Sequence, residues 1–434
     1  MQYIDNIIFA ILLVVGISFF AKNFQKIIRN IKLGQDVDRK QNPKARWTNM
    51  AKIALGQSKM VSRPIAGILH VIVYVGFIVI NIELLEIIID GLFGTHRAFS
   101  GIGSLYIVLI ATFEILAFLV LVAVIVFWSR RNIVKLKRFI SSDLKGWPKS
   151  DANYIIYFEI VLMSLFLLMN AMDFNQQLLT PNAFPVSQHL FHFFGNLSFE
   201  TAHHLETIFW WMHISGILIF LNYLYFSKHL HILLAFPNTY FADLNPLGQL
   251  DDLSAVTAEV KLMMDPNADP FAAAPTTETP KKFGAQDAQD LNWVQLLNAY
   301  TCTECGRCTS VCPANITGKK LSPRKIMMDT RDRLVEIGKN IDLNKGVFIP
   351  DNINLLGNYI TPEELWACTS CNACVQECPV NISPLSIILD MRRFLVMEQS
   401  AAPMPVNAMM ANIENNGAPW QYNQQDRLNW KNEN

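Results

Sequence analysis

The chain has 434 residues with 36 basic and 36 acidic side chains, and that balance gives no argument for a nucleic-acid partner. A hydrophobic fraction of 51% with positive mean hydropathy is high for a soluble protein, and the length admits two or three domains. All eight cysteines lie between Cys302 and Cys378, downstream of the apolar sequence, which excludes a short secreted disulfide scaffold.

In chain order, five apolar stretches reach the ~20 residues needed to cross a bilayer. They run roughly 4–21, 64–90, 102–128, 154–172 and 206–227. The lead Met1-Gln2-Tyr3-Ile4-Asp5 carries no positive side chain and no small-residue cleavage site follows, so the first stretch reads as a retained span. Segment 22–63 holds eleven Lys or Arg and segment 129–153 holds seven. Arg97 is the single basic residue between spans two and three, and 173–205 has none. Positive loops stay in the cytoplasm. The N-terminus is therefore expected outside, and everything after the fifth span inside. Five buried helices of a soluble core would not need this asymmetry.

Histidines punctuate the spans. His213 and His231 are 18 residues apart, five whole turns if one helix continues, a rise of ~27 Å. Each is then placed to ligate a haem of b type near opposite membrane faces. His70, near the start of span two, should share the depth of His231 and pair with it. Ten residues on stands Ile80, so His213 has no partner in span two. His203, His204, His192 and His96 are the candidates, or it has none. His229 is out of phase by about 160° and is expected at the interface or the lipid headgroups. Ionisable groups within spans are costly and commonly functional. Glu83, Glu86 and Asp90 are candidates for proton relay or for a solvated helix end, Glu114 sits mid-span, and Glu159 lies early in span four.

Residues 238–290 are rich in Asp, Pro and Ala and read as a linker. Helical pattern resumes at Asn292. Then follow Cys302-Thr-Glu-Cys305-Gly-Arg-Cys308-Thr-Ser-Val-Cys312-Pro313 and, 66 residues later, Cys368-Thr-Ser-Cys371-Asn-Ala-Cys374-Val-Gln-Glu-Cys378-Pro379. Two-residue gaps on a tight loop let three thiolates reach three irons of one cube, while the fourth cysteine opens a helix and reaches the other cube. The pattern predicts two [4Fe–4S] clusters, one on Cys302, Cys305, Cys308 and Cys378, the other on Cys368, Cys371, Cys374 and Cys312. Zinc is the competing reading of paired CxxC. The stretch 313–367 carries a basic run and a helical pattern through Val335, either a docking insertion or connecting structure. A helix over 384–397 closes the domain, and 399–434 reads as extended or disordered. Gly101-Ile-Gly103 lacks the third glycine of a dinucleotide loop, and no phosphate-loop, zinc-protease or serine-hydrolase motif occurs.

Over about 60–395 the chain resembles the membrane-bound iron–sulfur oxidoreductases that join a nitrate-reductase-gamma-like cytochrome b domain to a ferredoxin domain. Relatives of that type include the membrane arm of heterodisulfide reductase and bacterial electron-transfer-flavoprotein:menaquinone oxidoreductases. Gly67-Ile-Leu-His70 through Gly76-Phe77, Arg130-Arg131 and Ser227-Lys-His-Leu-His231 carry the resemblance in the spans. Gly318–Pro323, Leu365-Trp366-Ala367-Cys368, Met391-Arg392-Arg393 and the cysteine runs carry it beyond them.

The resemblance implies a mainly α protein: a five-helix transmembrane cytochrome b-like domain over 1–237, a linker over 238–290 and a cytoplasmic dicluster ferredoxin-like domain over 291–398. It further implies an inner-membrane subunit relaying electrons between a cytoplasmic partner and menaquinone. The partner would be a separate CCG-type subunit, electron-transfer flavoprotein, or both. The alternatives are the arm of a thiol–disulfide enzyme and a structural anchor whose clusters only stabilise the fold. The sequence departs from the family in two places: no cysteine follows Cys378, and Ile80 replaces the second histidine of span two.

Overall fold

The computed structural model describes residues 2–180, 183–266 and 282–432. It is helical, with two isolated β-bridges and no strand among the described residues. Five helices are long and apolar enough to cross a membrane. They are Gln2–Ile31, Pro64–Phe93, Ser104–Asn132, Trp147–Met172 and Phe199–Tyr223, several of them running on past the apolar stretches into polar residues, while the fifth stops short of its stretch in a 3₁₀ turn.

Their ends follow ordinary helix chemistry. Pro64 and Pro148 sit in first turns, where a missing N–H costs nothing. Ser198 caps the fifth span by accepting from the Thr201 N–H. Gly94 stops the second in the left-handed region at φ 69°, donating to the Asp90 carbonyl at 2.8 Å.

Consecutive spans pack side by side, and the first closes against both the second and the fifth, so the five form a ring. Phe9, Ile110, Phe113, Ala117, Phe166 and Ile214 fill its middle. Gly91 lets the Phe9 ring lie against the backbone: a Cβ there would come 2.7 Å from the ring. Large apolar side chains such as Ile7, Ile11, Ile68, Val108 and Ile219 face outward, which suits a lipid-facing surface.

The C-terminal domain centres on Pro323–Leu343, packed against Trp293–Thr301 and Pro384–Met397. Leu296, Ile326, Leu334, Ile337, Leu355, Leu365, Ile387 and Met391 are fully buried there. The domain sits at the end of the bundle that carries the two basic loops, and those loops hold it. Asn30 donates to the Tyr300 hydroxyl at 2.8 Å, and Lys26 and Arg29 pair with Asp342. Arg324 pairs with Asp143 at 2.7 Å and donates to the Arg138 carbonyl.

Two segments differ from the sequence reading. The 238–290 segment is structured at both ends: the helix His231–Tyr240 buries Asn238 and Thr239, and a helix spans Ser254–Met264. From 283 the chain already belongs to the ferredoxin domain, with Ala285 and Ala288 fully buried. Residues 267–281 lie outside the described residues. The reason is Arg333, fully buried and bridging Asp287 and Asp351 at 2.7–3.2 Å while donating to the Ile353 carbonyl. That ion pair reaches across the sequence, so composition could not reveal it. In the tail, Met404–Asn416 is an exposed helix and Gln424–Lys431 a 3₁₀ turn rather than extended chain. Arg333→Met strands two carboxylates and is expected to cost about 3 kcal/mol. A cluster-loss midpoint on heating unchanged from the parent would contradict this.

Candidate redox centres

Both cysteine runs use one backbone device. The third and fifth residues of each are left-handed: Glu304 (φ 54°) and Gly306 (φ 71°), then Ser370 (φ 56°) and Asn372 (φ 60°). Alternating handedness turns successive N–H groups to one side, a nest for negative sulfur. The Ser370 N–H donates to Cys368 Sγ at 3.4 Å and the Ile382 N–H to Cys378 Sγ at 3.3 Å. The helices Arg307–Val311 and Ala373–Glu377 pack against each other, so each run presents its fourth cysteine to the other.

Two thiol sets result. Cys302 has Cys305 and Cys378 as its thiol neighbours. Cys308 faces Cys305, Cys302 and Cys378 and, more weakly, Cys374 of the other set, so the two sets adjoin there. Cys312 instead faces Cys368 and Cys371, and Cys374 faces Cys368, Cys312 and Cys371. Burial, then the neighbouring thiols, pushes Cys302 and Cys374 up to about 12 and Cys378 to about 11. Thiolates so placed need a metal's charge beside them. Four thiols in each set, drawn from both runs, can supply one thiolate to each corner of a four-iron cube.

The sets are unequal in exposure. Cys371 of the second is exposed, whereas Cys302 and Cys378 of the first are buried. The first set faces the bundle. Lys59 lies beside Cys378, and Arg307 lies beside Cys305 while donating to the Lys59 and Met60 carbonyls at 3.0 Å. Arg63 pairs with Glu377 at 2.6 Å.

Above this junction the structure brings His70 and His231 together, with ring centroids 6.4 Å apart. Two imidazoles on one metal with bonds of ~2 Å put their centroids about 6 Å apart. Nδ1 of His231 lies 3.1 Å from the Lys228 carbonyl, which leaves Nε2 for a ligand, while buried Nδ1 of His70 has no partner. Burial holds the His231 imidazole below its ordinary pKa, hence neutral and able to bind a metal. These residues fit a haem iron.

The helical route to this pair needs correction. His213 and His231 do not share one helix over five turns: the fifth span ends in a 3₁₀ turn, Ser227 is extended (φ −114°, ψ 145°), and His231 starts a new helix. Ser227 Oγ caps that restart by accepting from the His229 N–H at 3.0 Å. The break also turns His229 inward. It packs on Phe220 and His231, 4.0 Å from Glu159, and not among lipid headgroups. Burial, with His231 and His70 nearby, pushes it down to about 3.

His213 is 3% exposed and lines a cavity of about 100 Å³ with Val73, Phe77, Ile80, Phe166, Glu83 and Glu159. It is the cavity's single histidine: His203, His204, His192 and His96 do not reach it. Glu114 accepts from Asn170, the Val186 and Ser187 N–H groups and the Ser187 hydroxyl, which anchors the 183–187 loop. Asp90 likewise ties down 95–98.

Sequence reasoning passed over Lys228, Glu304 and Arg331. Lys228 pairs with Glu304, which also accepts from Arg331 at 2.7 Å. Burial opposes ionisation of Glu304, yet Arg331 and Lys228 hold its carboxyl below the ordinary range. The pair bolts the first cysteine loop to the end of the fifth span. The signal was present in Ser-Lys-His-Leu-His and Cys-Thr-Glu-Cys, but only contact across 76 residues gives it meaning. Glu304→Ala removes the carboxylate that Lys228 and Arg331 share, leaving them only Asp151 at 3.8 Å and the more exposed Asp332 at 3.0 Å, and is expected to destabilise by about 2 kcal/mol. Limited proteolysis should then cut between bundle and ferredoxin domain faster than in the parent, and equal rates would exclude the bolt.

Comparison with known proteins agrees with this chemistry. Residues 301–382 match the family model of the 4Fe-4S dicluster domain. The chain is 30% identical to the "Probable iron-sulfur-binding oxidoreductase FadF" of Bacillus subtilis, over 99% of this chain and 61% of that protein. Its homologues thus include iron–sulfur oxidoreductases, and it carries a 4Fe-4S dicluster domain. It is 25% identical to the "EtfAB:quinone oxidoreductase" of Syntrophomonas wolfei over 98% of this chain and 59% of the relative. Over 35% of its length it is 28% identical to one component of the dihydromethanophenazine:CoB–CoM heterodisulfide reductase of Methanosarcina mazei, covering 37% of that protein. The chain thus spans about three fifths of the length of the first two relatives. No solved structure matches.

Proposed function

We propose that this iron–sulfur oxidoreductase homologue is the membrane wire of a quinone-linked complex. The observation that carries the proposal is the spatial order of its donors. The second thiol set has Cys371 exposed, the first set has no exposed cysteine and lies beside Lys59 and Arg307 at the bundle, and His70 and His231 lie just beyond it. Two [4Fe–4S] clusters and a haem b, when bound, supply one-electron carriers in that order.

The protein's own residues do the rest. The nests and Arg307 offset thiolate charge, Lys228 and Glu304 fix the junction, and the Lys228 carbonyl orients His231. The cavity beside His213, apolar but for His213, Asn81, Glu83 and Glu159, suits a quinone headgroup with its tail among the spans. By charge asymmetry the ferredoxin end is cytoplasmic, where a soluble partner such as electron-transfer flavoprotein would meet Cys371. The heterodisulfide reductase relative supports a second reading, in which that partner reduces a disulfide.

Purification in mild detergent with optical and EPR spectra, followed by addition of menadiol, tests the proposal. A b-type band and cluster signals that menadiol reduces are expected. Cluster signals that neither menadiol nor reduced electron-transfer flavoprotein can change would leave only an anchor.

A further inference from the structure

We infer that Glu83 carries protons between the quinone cavity and the far face of the bundle, with His96 and Glu206 at the mouth of the path. This rests on the quinone reading above. Glu83 is 1% exposed and lines both the cavity beside His213 and a second, larger one of about 260 Å³ at the end opposite the ferredoxin domain. Ile87, an aliphatic side chain, is the other residue common to both. Glu83 is therefore the ionisable group at the partition between them.

Its bonding differs from that of its neighbours. Glu86 accepts from the Phe99 N–H and the Tyr106 hydroxyl, and Asp90 and Glu114 are fully engaged in holding loops. Glu83 Oε2 has no partner, and Oε1 is 3.5 Å from Arg97. Arg97 is itself fixed by Asp173 at 3.2 Å and Asn170 at 2.8 Å. The guanidinium thus has a counter-ion without Glu83. A buried carboxyl with a free oxygen and no obligatory cation can hold a proton or release it, which is what a relay group requires.

The outer cavity completes the route. Asp90, His96, Glu206 and His203 line it, and its size and polarity admit water. His96 Nε2 lies 3.0 Å from one Glu206 oxygen and His203 Nδ1 lies 3.3 Å from the other, with the His96 side chain 55% exposed. A quinol converting to quinone gives up two electrons to the protein's one-electron carriers and two protons to solvent. Each proton would pass from a quinol hydroxyl to Glu83 Oε2, then by water to Glu206 and His96. Quinone reduction runs the same steps in reverse.

The test uses the purified holoprotein, with menadione for binding, menadiol for reduction of the b-type band, and redox-difference infrared spectra for carboxyl protonation. Glu83→Gln should bind menadione within about twofold of the parent, slow reduction on the order of 100-fold and lose a carboxyl band. Formate or azide should restore much of the rate in Glu83→Ala, which a misfolded variant would not allow. Glu206→Gln should slow the same step about tenfold. Parent-like reduction and an intact carboxyl band in Glu83→Gln would overturn the relay while leaving the quinone site standing. So would a block seen in Glu159→Gln and not in Glu83→Gln, which would send protons towards the ferredoxin end. A parent protein that binds no menadione would overturn the quinone reading and the relay together.

Discussion

Replacing Cys378 by serine is expected to abolish the cluster of the first motif and to spare the cluster of its own. The side chain lies in the second run, yet its thiol neighbour is Cys305. Cys378→Ser and Cys305→Ser should therefore leave the same surviving EPR signal, and Cys312→Ser should leave the one that Cys371→Ser leaves. Each variant should lose about half of the iron, since each cluster holds four irons bound by four thiolates. The loss should also disturb packing, because Cys378 and Cys312 are both buried at the helix pair that joins the runs. A Cys378→Ser signal matching that of Cys374→Ser would refute the interleaved ligation. The two losses differ in consequence. On the proposed function, losing the set with Cys371 should block reduction by a soluble partner, while losing the set beside the bundle should break the link to His70 and His231.

Complete loss of the b-type absorption band is expected from either His70→Ala or His231→Ala. With rings 6.4 Å apart and neither imidazole bonded to the other, each supplies one side of a two-nitrogen site, and a single remaining ligand holds haem weakly. His213→Ala should leave the band in place, because its cavity contains no second imidazole. Its expected effect is on quinone: weaker menadione binding with unchanged haem content. Should His213→Ala remove half of the haem, a second haem exists and its other ligand is not a histidine of that cavity. Lys228 gives a subtler check. Its carbonyl, not its side chain, orients His231, so Lys228→Met should keep the band while weakening the docking of the ferredoxin domain.

Periodicity and spacing carried much of this protein. Long apolar runs fold as spanning helices wherever no water can satisfy the backbone, so the five spans were legible, with differences only at their ends. Cysteine spacing is local chemistry: three thiols on a tight loop and a fourth on a following helix define interleaved sets before any fold is known. The basic loops foretold which end of the bundle would carry the ferredoxin domain, because the lysines and arginines kept on one side are those that hold it. His70 and His231 were matched by depth.

What remained illegible depended on where the chain breaks and on partners far away in sequence. A helix drawn straight through Ser227 placed His231 in phase with His213 and sent His229 to the lipid, whereas the serine cap restarts the helix and turns His229 inward. No local pattern announces that Glu304 answers Lys228, that Arg333 draws Asp287 out of an apparent linker, or that Arg97, a lone charge in a short loop, lies buried beside Glu83. Apolar periodicity and cysteine spacing are written in neighbouring residues, so the sequence by itself determined the spans and the thiol chemistry. Only the tertiary structure decided how the two halves join and which carboxylates stand free, because a buried charge is defined by the partner that compensates it.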